Sequence, residues 1–352
     1  MGAAIAYELS QSSHLSVTVV EQQLGPAQAA TGAALGVLMG AISQKPKGNN
    51  LTMRLFGIQQ YNQWVPRLEA VTGRKIPFNQ QGILRLCFVG EELERWQTLA
   101  QIRQQQGWEL QICDRAFLAA NYPQLNLERV IGAIYSPADR QVDPTALTQA
   151  LVLAAQQQGA TIHFNTQVAT IVPLDAKVRI DTSQGAIEAD WLIIAAGIGA
   201  TALTKPFPPP TDIRPVLGQA IRIKFPTPLE LPHQQPVITG EDVHLVPLGA
   251  DEYWIGATVE FPPEGKNPAE LLQPDSEQLR TVWQQAISMC PALERATILH
   301  QWYGLRPRPE GRPAPIIEAL PGHPNIILAT GHYRNGVLLA PATAQKVRAV
   351  IT

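Results

Sequence analysis

The sequence has few cysteines, no long apolar run and no excess of one charge. Its three cysteines, Cys87, Cys113 and Cys290, lie far apart and form no C-x-x-C pair. That excludes a disulfide framework or a thiolate metal site, and it fits buried thiols in a reducing compartment. No segment approaches the ~20 apolar residues of a membrane span. The apolar N-terminus contains Glu8 and no preceding basic stretch, so a secretory signal is not expected and the chain reads as cytoplasmic. Lys plus Arg total 27 against 29 Asp plus Glu, for a net charge of −2. Nucleic acid and anionic membrane are thereby excluded as main partners. No nucleophile elbow, H-E-x-x-H or Walker loop is present. His14, His163, His233, His300 and His323 stand in no constellation and read as structural or surface residues.

What is present is a globular composition. With 352 residues and 45% hydrophobic content, the chain can bury one large core or two moderate ones. Residues 2–21 read as a helix, a polar turn and an apolar strand, Leu15–Val20, ending at Glu21. Residues 25–42 form a loop rich in Gly and Ala. The spacing of Leu55, Ile58, Trp64 and Leu68 predicts a helix over 50–73. A strand over 82–89 and a charged, Gln-rich helix over 91–107 follow, the latter stopped by Gly107. Asp143-Pro144 reads as an N-cap with proline at N1, opening a helix over 144–158. Strands are expected at 160–164, 168–173, 177–181 and 191–196. After the Pro-rich joint FPPPTDIRPVLG, strands near 219–225, 243–247 and 253–258 and a helix near 275–289 suggest an antiparallel sheet. The chain closes with a strand at 326–329, a tight loop at 331–336 and a helix over 337–350.

Four motifs stand out. GAAIAYELSQSSHLSVTVVE, residues 2–21, matches the second half of a dinucleotide-binding βαβ unit. Gly2 would be the third glycine of that fingerprint, the one that lets helix and strand pack closely. Glu21 would meet ribose hydroxyls. The same pattern also suits any helix followed by a strand. ATGAALGVL, residues 30–38, would let backbone N–H groups approach a ligand, or is simply a tightly packed loop. GHYRNGVLL, residues 331–339, places an aromatic, a cation and an amide between a strand and a helix N-terminus. Its alternative is a turn with a surface arginine. In YGLRP, residues 303–307, Arg306 must be paired if buried. It could clamp a substrate carboxylate or bridge a core Asp, and the local sequence tilts toward the second.

Taken together and in order, these segments resemble the D-amino-acid oxidase superfamily of FAD enzymes. They are most similar to the glycine oxidase of bacterial thiamine biosynthesis. The likeness is carried by GAAIAYELS, VVEQ, ATGAALGVL, VDP at 142–144, AAGIGA at 195–200, LGQ at 217–219, HLVP at 244–247, IGATVE at 255–260, GLRP at 304–307 and ATGHYRNGVLLAPATA at 329–344. The resemblance implies an α/β fold. A Rossmann-like FAD-binding domain with a parallel sheet, here lacking its first strand, would interleave with an α+β substrate domain built on a mostly antiparallel sheet. The expected division is 1–77, 141–212 and 304–352 for FAD, and 78–140 and 213–303 for substrate.

The resemblance also implies residue roles. Gly2, Glu21 and Gln22 would serve the dinucleotide half of non-covalent FAD, with Val168 near the adenine. Ala30, Thr31, Leu35, Gly36 and Val37 would line the pyrophosphate and flavin, with Ala196 and Gly197 close by. His332, Tyr333, Asn335, Gly336, Val337 and Leu338 would wrap the flavin's pyrimidine end. Arg306, Arg334 and His244 would bind substrate, and no side chain would act as a dedicated catalyst. The implied activity is oxidative deamination of glycine or another small amino acid or secondary amine, by hydride transfer to flavin N5 with reoxidation by O2 to H2O2. The alternatives are a dehydrogenase using another acceptor, or an inactive product of a truncated gene or misassigned start. No metal is expected, and a homo-oligomer is left open.

Two positions depart from the glycine oxidase pattern. His244 replaces a tyrosine, and Val259 replaces a larger methionine, so a strict preference for glycine is in question. The half-fingerprint also leads to the expectation that the natural protein begins upstream. A lost central strand would remove about four buried side chains, roughly 6–12 kcal/mol at ~1.5–3 each, and the chain as it stands would bind FAD weakly.

Overall fold

The computed structural model describes residues 1–227, 229, 231, 235–249, 251–262 and 273–352; His233 lies outside them. Helix Gly2–Ser10 is followed by strand Thr18–Val20, which pairs in parallel with Thr161–His163. The expected strand from Leu15 is cut to three residues because its partner is only three residues long. A second parallel ladder joins Leu192–Ile194 to His323–Thr330, with Ile316–Leu320 antiparallel on the far side. The two ladders share no hydrogen bonds. They lie in one core with helices Gly2–Ser10, Asn49–Thr72, Pro144–Gln157 and Gly336–Ile351.

The helix boundaries follow local chemistry. The Asp143 side chain accepts from the backbone N–H groups of Thr145 at 2.8 Å and Ala146 at 2.9 Å, with Pro144 at the first helical position. This is the N-cap that the sequence announces. Helix Asn49–Thr72 stops at Gly73, whose φ of 68° is left-handed and so favours a residue without Cβ. Tyr7 and Trp64 meet edge to face at 5.4 Å, fastening the first helix to the long one.

The other lobe is an eight-stranded sheet. Its order is Thr297–Pro309, Ile213–Lys224, Glu252–Gly256, Val243–Pro247, Val237–Gly240, Ile83–Phe88, Val130–Ser136 and Gln111–Cys113. All neighbours are antiparallel except Val237–Gly240 with Ile83–Phe88. One face carries Leu84, Leu86, Ile221, Ile238, Leu245 and Ile255. It is covered by helix Ser276–Met289 through Leu279, Val282, Ala286 and Met289.

Several elements were not foreseen, among them Gln111–Cys113, Arg115–Asn121, Val130–Ser136, Val237–Gly240, Thr297–Pro309 and Ile316–Leu320. Two smaller ones join them. Strand Gly185–Ala189 extends the pair Val168–Pro173 and Val178–Thr182. It is almost wholly exposed, so it shows no apolar alternation. The small-residue loop contains a two-residue strand, Val37–Leu38, that pairs with Arg140–Val142. Among the described residues no helix is long and apolar enough to cross a membrane, and the three cysteines are buried and unpaired.

Candidate functional site

Side chains alternate across a sheet, so register decides what shares a face. Trp302, Ala220, Gly256 and His244 lie in one row across four strands. Gly304 and Gly218 are in register two residues along, and Arg306 and Val216 two further. This face, opposite the one covered by helix Ser276–Met289, is built of very small residues around Arg306 and His244. The smallness admits the 29–38 loop. A Cβ on Gly304 would sit 2.3 Å from the Ala33 Cβ, and one on Gly256 would sit 3.3 Å from Leu35 Cδ1. Trp302 Nε1 donates to the Ala33 carbonyl at 3.0 Å, and Gln141 donates to the Leu35 carbonyl at 3.1 Å.

Arg306 lies across Gly218. A Cβ there would come within 2.1 Å of the guanidinium, so only glycine leaves it room. Its one hydrogen bond among the described residues runs from Nη1 to the Leu217 carbonyl at 3.0 Å. Burial, and then the neighbouring Arg334, holds its pKa below the ordinary arginine value. The core Asp bridge that the local sequence favoured is not formed. Among the described residues Glu260 is a nearby carboxylate, and it is engaged elsewhere. It accepts from Gln219 Nε2 at 2.8 Å, from the Asp275 backbone N–H at 3.0 Å and from the Thr258 hydroxyl.

Arg334 pairs only loosely with Asp242, at 3.5 Å, and Asp242 is 81% exposed. His244 meets the same charges. Burial, Arg334 and Arg306 together push its pKa down to about 4 against the opposing pull of Asp242. It is therefore neutral at physiological pH, and its shielded Nδ1 has no partner among the described residues. Sequence motifs distant from one another thus supply Arg306, Arg334 and His244 to one site.

The 331–338 segment borders this site. Gly331 has φ 67° and Tyr333 φ 52°, a conformation that costs a tyrosine of order 1 kcal/mol or more. His332 is buried, with a ring nitrogen 2.9 Å from the Thr343 hydroxyl, and burial pushes its pKa down to about 3. Asn335, at the end of a 3-10 turn, precedes helix Gly336–Ile351 and makes no side-chain cap on it. Tyr61 donates to the Val337 carbonyl at 2.6 Å. Gly57 lies against Leu338, where a Cβ would be 2.1 Å from its carbonyl oxygen.

Gly197, at φ 57°, follows Ala196 and accepts from the Thr330 hydroxyl at 3.0 Å. Gly36, at φ 68°, would clash with the Val142 carbonyl if it bore a Cβ. Glu21 follows the first parallel strand and accepts from the Gln23 N–H at 2.9 Å. Gln22 lines a cavity of about 560 Å3 with Gln23, Asn165, Gln167, Ser183 and Gln184, and Val168 opens a strand nearby. Thr31 and Ala30 sit in the loop facing Gly304. Gly2 opens the first helix, where a Cβ would lie 3.8 Å from the Ala195 Cβ.

Sequence reasoning missed a buried clamp on residues 39–45. Asp139 accepts from the N–H groups of Gly40, Ala41 and Ile42 at 2.7, 2.8 and 2.9 Å. Arg103, fully buried, donates to the carbonyls of Ala41, Ser43 and Lys45, each at 2.7 Å. Arg54 donates to the Met39 carbonyl at 3.1 Å. Three charged side chains thus fix the chain just beyond the small-residue loop. Arg103 sits in a polar, Gln-rich helix that reads as solvated, so no sequence signal marked it. No group of three or more His, Cys, Asp or Glu among the described residues could hold a metal.

A family model described as "DAO: FAD dependent oxidoreductase" matches residues 1–349. The chain is 33% identical over 360 residues to the bifunctional protein ThiO/ThiG of Synechocystis sp., covering 100% of this chain and 50% of that protein. It therefore spans about half the length of the bifunctional relatives it matches. It is 27% identical over 345 residues to the glycine oxidase of Geobacillus kaustophilus, covering 97% of this chain and 88% of that one. The crystal structure of glycine oxidase from Geobacillus kaustophilus superposes with a TM-score of 0.87 at 26% identity, covering 99% of this chain and 91% of that chain.

Proposed function

The chain belongs to the DAO family of FAD-dependent oxidoreductases, and from that premise we propose that it oxidises a small amino acid or amine, glycine first, using dioxygen as acceptor. The observation that carries this reading is Arg306, a partly buried guanidinium laid across Gly218 with one protein hydrogen bond and no carboxylate partner among the described residues. A partly buried cation left open in this way is matched by a ligand carboxylate, which a guanidinium grips in a two-pronged geometry.

The residues of the site fit FAD. The Gly304 and Gly256 floor admits the 30–37 loop, the turn at Ala196 and Gly197 is small, and helix Gly336–Ile351 begins uncapped. In this reading Glu21, Gln22 and Val168 serve the adenosine half. Ala30, Thr31, Leu35, Gly36, Val37, Ala196 and Gly197 line the pyrophosphate and flavin. The segment from His332 to Leu338 wraps the pyrimidine end. The discontinuous division set out above, with 1–77, 141–212 and 304–352 around the cofactor, accompanies it. FAD, when bound, supplies the two-electron acceptor for the substrate's Cα–H and passes the electrons on to dioxygen.

The protein's part is orientation. Arg306 fixes the carboxylate and thereby the direction of the Cα–H bond. His244 stays neutral between two arginines and offers a hydrogen-bonding ring nitrogen without adding charge. The helix N-terminus at Gly336, the positive end of its backbone dipole, favours negative charge developing beside it. Residence in a reducing, cytoplasmic compartment suits the three free thiols.

The test is peroxide release in air by FAD-reconstituted protein, over a panel of glycine, sarcosine, alanine enantiomers and proline. Peroxide formed in step with imine or oxo-acid product is expected. A flavin that these amines reduce without oxygen but that yields no peroxide in air would overturn the oxidase reading.

A further inference from the structure

Glu260 is a buried carboxylate, 6% exposed. Its side-chain hydrogen bonds among the described residues all come from neutral donors: Gln219 Nε2, the Thr258 hydroxyl and the Asp275 backbone N–H. A desolvated carboxylate without a hydrogen-bonded cation is expensive to keep, and its position explains what it serves.

Glu260 meets Arg306 at one atom, the Leu217 carbonyl oxygen. Leu217 and Glu260 form an antiparallel bridge in which each backbone N–H donates to the other's carbonyl at 2.9 Å. The same Leu217 carbonyl accepts from Arg306 Nη1 at 3.0 Å. Its two lone pairs are therefore shared between the Glu260 N–H and the guanidinium.

The next residue but one is held in the same way. The Gln219 N–H donates to the Thr258 hydroxyl at 2.8 Å, and the Gln219 carbonyl accepts from the Thr258 N–H at 3.2 Å. Gln219 Nε2 donates to the Glu260 carboxylate at 2.8 Å and to the Asp275 carbonyl at 2.7 Å. Asp275 in turn caps helix Ser276–Met289. Gly218, on which Arg306 lies, is thus gripped at both neighbours. By strand alternation Leu217 and Gln219 turn their side chains to the face covered by that helix, and Gly218 faces the guanidinium. The Glu260 carboxylate works from behind the sheet, and glycine puts no side chain between Arg306 and the backbone that it steadies. Burial and Arg334 lower the Arg306 pKa, while Tyr333 and Glu260 act in the opposite direction.

We propose that Glu260 is a positioning residue for Arg306: from the far face of the sheet it fixes residues 217–219, and so sets the guanidinium where it meets the substrate carboxylate. The proposal rests on the reading of Arg306 as the carboxylate clamp. Glu260 touches no reacting atom and acts through the clamp alone. Its loss therefore falls on ligands that carry a carboxylate and spares those that do not.

The experiment compares glycine with glycine ethyl ester, an amine without a free carboxylate, on the FAD-reconstituted protein. In Glu260→Gln the ratio of kcat/KM for glycine to that for the ester should fall at least tenfold, mainly through a raised KM for glycine. The ester itself should change by less than about threefold. In an Arg306→Met background the same substitution should alter kcat/KM for glycine by less than about threefold, because the clamp through which it acts is gone. An equal loss on both substrates marks a merely structural carboxylate and overturns the proposal. So does a tenfold loss on glycine that persists without Arg306. If Glu260→Gln does not fold, Thr258→Val, which removes one donor from the same carboxylate, carries the test. Its glycine-to-ester ratio should fall about threefold, and an unchanged ratio overturns the proposal. Calorimetric titration with acetate keeps the two readings apart. If acetate binds the wild type, weakens tenfold in Glu260→Gln and no amine is oxidised, the oxidase reading alone fails. If glycine is oxidised and neither the ratio nor acetate binding responds to Glu260→Gln, the positioning role alone fails. If acetate does not bind and no amine is oxidised, both fail.

Discussion

Arg103 is a fully buried guanidinium and Arg306 a partly buried one, and neither forms an ion pair among the described residues. Arg103 spends its donors on the carbonyls of Ala41, Ser43 and Lys45 and on Gln106. Arg306 reaches one carbonyl, at Leu217. A buried cation surrounded by fitted acceptors is architecture, because its desolvation is repaid within the fold. One that is left short of acceptors is held ready for a ligand. The histidines repeat the contrast. His332 has Thr343 as partner, whereas the Nδ1 of His244 has none among the described residues.

The sharpest way to break this contrast is to remove each arginine. Arg306→Met should lower kcat/KM about 100- to 1000-fold, roughly 3–4 kcal/mol of lost transition-state binding, with little change in thermal midpoint. Arg103→Met should do the reverse. Three buried carbonyls would lose a partner at about 1–3 kcal/mol each, so urea denaturation should show a loss of about 3 kcal/mol or more. The folded fraction should keep kcat/KM within a few-fold. Equal effects of the two variants on both readouts would erase the distinction.

A smaller effect concerns pH. His332 titrates near 3 in the folded chain, and near 6.5 when unfolded. The unfolded chain binds the proton first, so the stability is fully present above pH ~6.5 and is lost as pH falls toward 3. At pH 5 the loss is about 2 kcal/mol relative to pH 7, at ~1.4 per unit. Urea midpoints for the wild type and for His332→Asn at both pH values check this. The variant should show the shallower dependence.

The smallest effect expected is at Gly218. A Cβ there presses on the mobile end of the Arg306 side chain rather than on backbone, so Gly218→Ala should fold normally. Displacing the guanidinium should cost about tenfold in kcat/KM, read mainly as a raised KM. Unchanged kinetics would mean that Arg306 is not held where the substrate meets it.

Much of the nucleotide-binding lobe was legible in the sequence because its signals are local. The Asp143-Pro144 cap, the long helix from residue 50 and the glycines around residues 331–336 act on their own backbone. The strand Gly185–Ala189 was not, since an exposed strand lacks the apolar alternation that marks one. Of the candidate site, Arg306 and Arg334 were visible through their motifs, and His244 through its departure from a pattern.

The sequence by itself determined the class of chain: an α/β FAD-dependent family member with small residues where a loop must approach and arginines where a carboxylate is expected. Only the tertiary structure decided which charges are spent. Arg103 lies in a helix that reads as solvated, and Asp139 lies in a turn, yet they clamp the 39–45 segment from its two hydrogen-bonding sides. Arg54 lies between Met53 and Leu55 in the long helix, yet its guanidinium reaches the Met39 carbonyl. Whether a charge is satisfied depends on acceptors delivered from scores of residues away, and local sequence holds no record of that distance.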